Sequence, residues 1–267
     1  MKSWTLIRHS AIELLLTSAL LCGITTIIRF VVGPSALSCA IPPIHLELLI
    51  VGALVALLLA GLILSRPGKI SGGHMNPAIS LAMWRFGVFP GFGVVPYVTA
   101  QLIGSVVGVL AARGIWGPVV ERPPVLYAVI LPAPRWSALP LFAAELIGMG
   151  IIVFAVGYFL SEPRLAPYVP WLVGILIGLG IAALGTETGG SLNPARQFGP
   201  AVFAGHTTNL WVFLLAPMLG AELAAQLLKA IKKRSSVLTH RLCGTHSDGR
   251  PLDDLARVPR HGVNPPG

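Results

Sequence analysis

The sequence is short of charge. Of its 267 residues only 11% are Asp, Glu, Lys or Arg, and just 10 are acidic. A soluble domain carries about 25% charged residues, so this chain lacks the means to cover an ordinary water-exposed surface. It is also short of cysteine. Cys22, Cys39 and Cys243 form no spaced framework, which excludes a disulfide scaffold or a cysteine-bound metal. No nucleophile–base pair, metal cluster or phosphate-binding loop is present, so nothing points to catalysis, a metal or a cofactor. What is abundant is apolar: 54% of residues are hydrophobic and the mean hydropathy is +0.79. The chain is therefore expected to be an integral membrane protein. Its net charge of +9 gathers at the flanks of apolar runs and in the tail, which fits a lipid bilayer rather than a nucleic acid.

A helix crosses a ~30 Å hydrocarbon core with about 20 apolar residues. Six runs approach that length: 12–32, 44–64, 92–112, 138–160, 171–184 with a few preceding residues, and 209–229. The first lacks a small-residue cleavage site and reads as a retained helix. With the N-terminus inside, the inner loops carry Lys2, Arg8, Arg66, Lys69, Arg85, Arg164, Lys232, Lys233 and Arg234; the outer ones carry Arg29, Arg113, Arg122 and Arg135. That bias places both termini in the cytoplasm. The reading gives a short N-terminal segment 1–11, a membrane domain 12–229 and a basic tail 230–267. The tail is polar, contains Pro and Gly, and is expected to be disordered. Its Asn264-Pro265-Pro266 imitates a helix start that its second proline forbids.

The chain repeats itself. Asn76-Pro77-Ala78 and Asn193-Pro194-Ala195 lie 117 residues apart. Glu13 pairs with Glu145, and Pro96-x-x-x-Ala100-Gln101-Leu102 with Pro217-x-x-x-Ala221-Glu222-Leu223. Three landmarks in one order define a duplicated three-helix unit, about 12–113 and 138–229. An odd number of spans per unit inverts the second copy. Inverted repeats place a shared site near the bilayer midplane, often at broken helices.

Each triplet is a helix-start signal. Asn is a strong N-cap, and Pro suits the next position. The runs that follow, about 77–84 and 194–204, are too short to cross a membrane. Two such half-helices meeting end to end would span one core, at 1.5 Å per residue. An Asn that caps with its side-chain oxygen has amide donors left over. The helix N-termini add partial positive charge, roughly half an elementary charge each. A cation there is disfavoured; a neutral molecule with a lone pair is held. Gly72, Gly73, His74 and Met75 precede the first triplet, and Gly189, Gly190, Ser191 and Leu192 the second. Non-helical backbone at membrane depth survives only where it lines a cavity or is buried in protein, so these stretches are expected to line a pore with their carbonyls.

From these residues the chain resembles the aquaporin, or major intrinsic protein, family over about 12–229. The resemblance rests on Ser71-Gly72-Gly73-His74-Met75-Asn76-Pro77-Ala78 and on Gly189-Gly190-Ser191-Leu192-Asn193-Pro194-Ala195-Arg196-Gln197-Phe198-Gly199-Pro200. It implies an all-α membrane protein with six transmembrane helices and two re-entrant half-helices. It also implies a homotetramer with one pore per protomer, passive flux and no cofactor. Within it, Arg196 lines an outer constriction, and Glu13 and Glu145 anchor the irregular loops. Counting back 20 from Asn76 gives Ala56 as a filter position; counting back 12 and 3 from Asn193 gives Ile181 and Gly190. The filter is then Ala56, Ile181, Gly190 and Arg196, wider and less polar than in strict water channels. It is similar to that of nodulin-type intrinsic proteins, which pass boric acid and glycerol. Glycerol facilitators place Asp after the filter arginine; here it is Gln197. His74 is either a packing residue or faces the inner vestibule. Two alternatives remain at this point: a proton-coupled secondary transporter, which would use Glu13, Glu145 and Glu222 as a relay, and a non-transport membrane scaffold.

Overall fold

The structure, a computed structural model, describes residues 3–41, 43–232, 236–246, 250 and 252. Its described helices are α1 (Ser3–Val31), α2 (Ala36–Ala40), α3 (Ile44–Leu64), α4 (Arg66–Ser71), α5 (Pro77–Arg85), α6 (Val94–Trp116), α7 (Ala138–Leu160), α8 (Val169–Leu184), α9 (Pro194–Ala204) and α10 (Leu210–Ile231). Six of them, α1, α3, α6, α7, α8 and α10, are long and apolar enough to cross a membrane. The half-helices α5 and α9 are not. The molecule is an all-α, multi-pass membrane protein.

Two spans overrun the apolar runs that signal them. No breaker separates Trp4 from Ile12, so α1 continues one side of the membrane-length stretch back to Ser3. Similarly α6 runs past Ala112 until Gly117, at φ 70°, ends it before Pro118.

Packing follows the repeat. α1 lies against α6 in the first unit as α7 lies against α10 in the second; α3 and α8 join the units. In lipid, helices gain little from the hydrophobic effect and associate through close van der Waals packing. Small residues supply the closeness. Gly104 and Gly108 of α6 sit against the Leu14 and Ser18 carbonyls, and Gly220 of α10 against that of Leu146. At the α3–α8 crossing, Gly52 meets Gly178 and Ala56 meets Gly174, backbone to backbone.

The described part of the tail differs from the disorder its composition suggests. Residues 236–246 fold back onto the face where α1 starts and α10 ends, here the terminal face, and Val237, Thr239, Leu242 and Cys243 are buried there. Composition, averaged over the whole tail, concealed a few apolar residues that dock on a surface already formed by the helices. Asn264-Pro265-Pro266 lies outside the described residues.

Candidate functional site

The two triplets cap α5 and α9. Asn76 and Asn193 are extended (φ −153° and −156°), and each Oδ1 accepts the backbone N–H two residues on, from Ala78 and Ala195, at 2.9 Å. Each side-chain amide then crosses to the other repeat. Asn76 Nδ2 donates to the Leu192 carbonyl at 3.0 Å, and Asn193 Nδ2 to the Met75 carbonyl at 2.9 Å. The half-helices are thus tied N-terminus to N-terminus through a reciprocal pair of hydrogen bonds. One N–H of each amide is spent on that tie rather than left free, and both asparagines still border the central cavity.

The loops before the caps repeat one backbone pattern. Gly72, Gly73 and Met75 have φ of 110°, 65° and 48°; Gly189, Gly190 and Leu192 have 85°, 56° and 51°. Left-handed backbone is nearly free for glycine and costly for Met and Leu. Buried carboxylates hold these turns. Glu13 on α1 accepts from the His74 and Met75 N–H groups at 3.0 and 2.7 Å. Glu145 on α7 accepts from the Ser191 and Leu192 N–H groups at 3.0 and 2.7 Å. Glu13 takes two further bonds, from Ser71 Oγ at 2.7 Å and Gln101 Nε2 at 2.9 Å. Gln101 was visible in the sequence only as part of a repeat landmark. Its counterpart Glu222 faces outward instead and pairs with Arg85 at 2.7 Å.

A cavity of about 450 Å³ runs along the tied half-helices. Its wall is mostly aliphatic, from Leu20, Ile24 and Ile28 of α1, Val51, Val55 and Leu59 of α3, Ile152 of α7, and Val173, Ile177 and Ile181 of α8. A polar stripe made of His74, Asn76, Gly189, Gly190, Ser191, Asn193 and Arg196 borders it. Pro77, Ala78, Pro194 and Ala195 are buried behind that stripe. Apolar walls with one polar stripe leave a passing solute few hydrogen-bonding partners, all on one side.

At the end away from the start of α1 the cavity meets Arg196. Its Nη1 donates to the Ala128 carbonyl at 2.7 Å. Ala128 belongs to the loop between α6 and α7, which dips into the mouth. Gln197 clamps the same loop, accepting from the Ile130 N–H at 3.1 Å and donating to its carbonyl at 2.9 Å. The sequence marks this stretch as a long, proline-rich outer connection, ordered but irregular, and gives no sign that it reaches the pore mouth. Ile181 and Gly190 border the cavity near Arg196, but Ala56 does not. It is taken up by the α3–α8 crossing, where its carbonyl and Cβ lie against Gly174 and Gly178. Gly52-x-x-x-Ala56 facing Gly174-x-x-x-Gly178 is the signal that an ungapped count from Asn76 overlooks. Gly52 is level with Gly178, and Leu48 with Gly185. Leu48 and Val51, both on the cavity wall, therefore bracket the level of Ile181 on α3.

At the other end the cavity stops at His74, which is only 3% exposed. His74 Nε2 lies 2.9 Å from the His240 carbonyl, and Nδ1 lies 3.1 Å from Ser80 Oγ. A carbonyl only accepts, so Nε2 carries the proton and Nδ1 accepts from the Ser80 hydroxyl. Among the described residues no group of His, Cys, Asp and Glu is arranged to hold a metal.

With this geometry in view, the sequence pattern of the Major intrinsic protein family matches residues 1–228. The chain belongs to the major intrinsic protein family. Among its relatives, it is 34% identical over 170 residues to the probable aquaporin NIP7-1 of Arabidopsis thaliana, covering 63% of this chain and 59% of that one. It is 35% identical over 191 residues to the probable aquaporin AqpM of Archaeoglobus fulgidus, covering 68% and 76%. The NIP-type matches thus span less than two thirds of those relatives' length. Among solved structures, the aquaglyceroporin from Plasmodium falciparum superposes with a TM-score of 0.65 over 83% of this chain and 95% of that one, at 23% identity. That likeness shows the shared fold. The all-α architecture with inverted three-helix units is the family's.

Proposed function

We propose that this major intrinsic protein is a passive channel for water and small uncharged solutes, with one pore per protomer of a homotetramer and both termini in the cytoplasm. The observation that carries the reading is the tie of Asn76 and Asn193 beside a continuous aliphatic cavity. Two helix N-termini converge there, so positive partial charge faces the passage. The second Asn193 amide hydrogen is a donor for a solute's lone pair, while that of Asn76 lies toward Met149 Sδ at 3.9 Å. A water molecule accepting there turns its own hydrogens away from the junction, which breaks a proton-conducting file. A cation meets the helix N-termini and, at the mouth, the Arg196 guanidinium, which stays charged at any physiological pH.

The filter in this reading is Val51, Ile181, Gly190 and Arg196. Two aliphatic side chains, one absent side chain and one fixed set of donors make an opening that favours compact neutral molecules with hydroxyl groups, glycerol and boric acid among them. The relatives' name, aquaporin, supports water as one of the solutes. A proton-coupled transporter would need a carboxylate exposed to the passage. Glu13 and Glu145 are instead committed to loop N–H groups, and Glu222 to Arg85.

Stopped-flow light scattering on proteoliposomes tests the proposal, with water, glycerol, urea and boric acid presented in turn. Flux that follows each solute's own gradient supports it. Accumulation against a gradient, driven by a pH difference, overturns it in favour of a transporter.

A further inference from the structure

The cavity ends at His74, and what lies beyond His74 is the tail. Its contacts fall on the pore loop itself. The Leu242 N–H donates to the Gly72 carbonyl at 3.0 Å, and the His240 carbonyl accepts from His74 Nε2 at 2.9 Å. The Leu238 N–H caps the Leu160 carbonyl at the end of α7, at 3.1 Å. The His240 ring stacks near Phe89 and His74, with centroids 5.4 and 5.7 Å away. The segment is a turn closed on itself. Thr239 Oγ1 donates to the Thr245 carbonyl at 2.9 Å, Arg241 Nη1 donates to the His246 carbonyl at 2.8 Å, and Gly244 turns the chain at φ 70°. Leu242 at its tip is 1% exposed.

Resting on the channel reading, we propose that residues 237–245 are an intramolecular plug that closes the pore at the face where α1 starts and α10 ends, and that conduction requires their release. The plug occupies the hydrogen-bonding groups that a solute would meet next. Gly72 C=O is an acceptor of the pore loop, and His74 Nε2–H is a donor on the cavity wall; both are satisfied by the tail.

The attachment is built to be reversible. Docking leaves His240 Nδ1, Arg241 Nε and His9 Nδ1 buried without hydrogen-bond partners. Each would find water when the tail leaves, so the apolar gain from Val237, Leu242 and Cys243 is opposed by unpaired polar atoms.

The test reads tail position and flux in the same full-length protein. Cys243 is buried when docked, and it becomes the single thiol once Cys22 and Cys39 are replaced by serine. In that background Leu242→Asp places a charge in the buried tip. Gly244→Val is an independent release, because its left-handed φ and the adjacent Ala166 carbonyl leave no room for a side chain. Maleimide labelling in detergent reports undocking; proteoliposome permeability to water and glycerol reports conduction. Both variants are expected to label about tenfold faster and to conduct about tenfold better per protomer, since flux scales with the released fraction. Faster labelling with unchanged, non-zero permeability would overturn the plug. So would a wild-type Cys243 that already labels as fast as the variants. Permeability at the level of empty vesicles in every variant, with labelling showing release, would instead sink the channel reading on which the plug rests.

Discussion

At the scale of single residues, the site is a set of buried polar groups each held by a specified partner. Glu145 is the simplest case: its two oxygens accept two loop N–H groups. Glu145→Gln would turn an NH₂ group toward one of those donors. A buried donor left unpaired costs about 1–3 kcal/mol. The melting temperature in detergent should fall, and water flux with it. Glu13→Gln should be worse, because Glu13 gathers four bonds rather than two. At the mouth, Gln197→Ala removes both bonds to Ile130 and frees the loop that holds Arg196 through Ala128. The expected outcome is faster hydrogen exchange across residues 126–131, read by mass spectrometry, with the helices unchanged. Arg196→Val should admit cations while neutral solutes still pass, measured as a dissipating membrane potential in vesicles.

At the scale of elements, the packing of α3 decides which of its residues border the cavity. Its aliphatic sequence gives no clue to which face borders the cavity, because in lipid both faces are apolar. The six spans, the two caps and the inverted repeat were legible, since each shows as a long apolar run or as a polar, small or imino residue that stands out in it, whereas the ends of α1 and α6 were not and the Glu–loop pairing came with the family resemblance. The α3 face was not, and the count from Asn76 landed on Ala56. The crossing with α8 decides it: Gly52 and Ala56 turn toward Gly174 and Gly178, which leaves Val51 and Val55 on the wall. Two substitutions separate these assignments. Val51→Phe should narrow the passage and lower glycerol flux on the order of tenfold relative to water, with the fold retained. Ala56→Phe should instead overpack the crossing, costing about 1–3 kcal/mol, and lower both fluxes together as protein is lost. Equal glycerol-to-water ratios in Val51→Phe and the parent would show that Val51 is not in the filter.

At the scale of the whole molecule, the tail joins the terminal face to the pore loop, and this was illegible for another reason. Disorder was inferred from average composition, whereas docking depends on a few residues, Val237, Leu242 and Cys243, meeting a preformed surface. Its coupling to pH follows from His240. Burial first, and then the neighbouring His74, Arg241 and His9, push this imidazole down to about 3 from its ordinary 6.5. Glu13, the acid of the same pocket, is engaged by the pore-loop N–H groups. A histidine whose pKa is depressed in the docked state favours docking fully above 6.5 and loses it as pH falls toward 3. Each pH unit below 6.5 should lower the docked-to-released ratio by up to tenfold. Acidifying the terminal face should therefore raise flux and Cys243 labelling together, and His240→Phe should flatten that response. The most direct test of the central claim is the flux of neutral solutes through the Leu242→Asp protein in vesicles loaded with a pH-sensitive dye. A passive channel predicts glycerol and water entering down their own gradients with no change in internal pH. Internal acidification in step with solute entry, or accumulation driven by an imposed pH gradient, would contradict it.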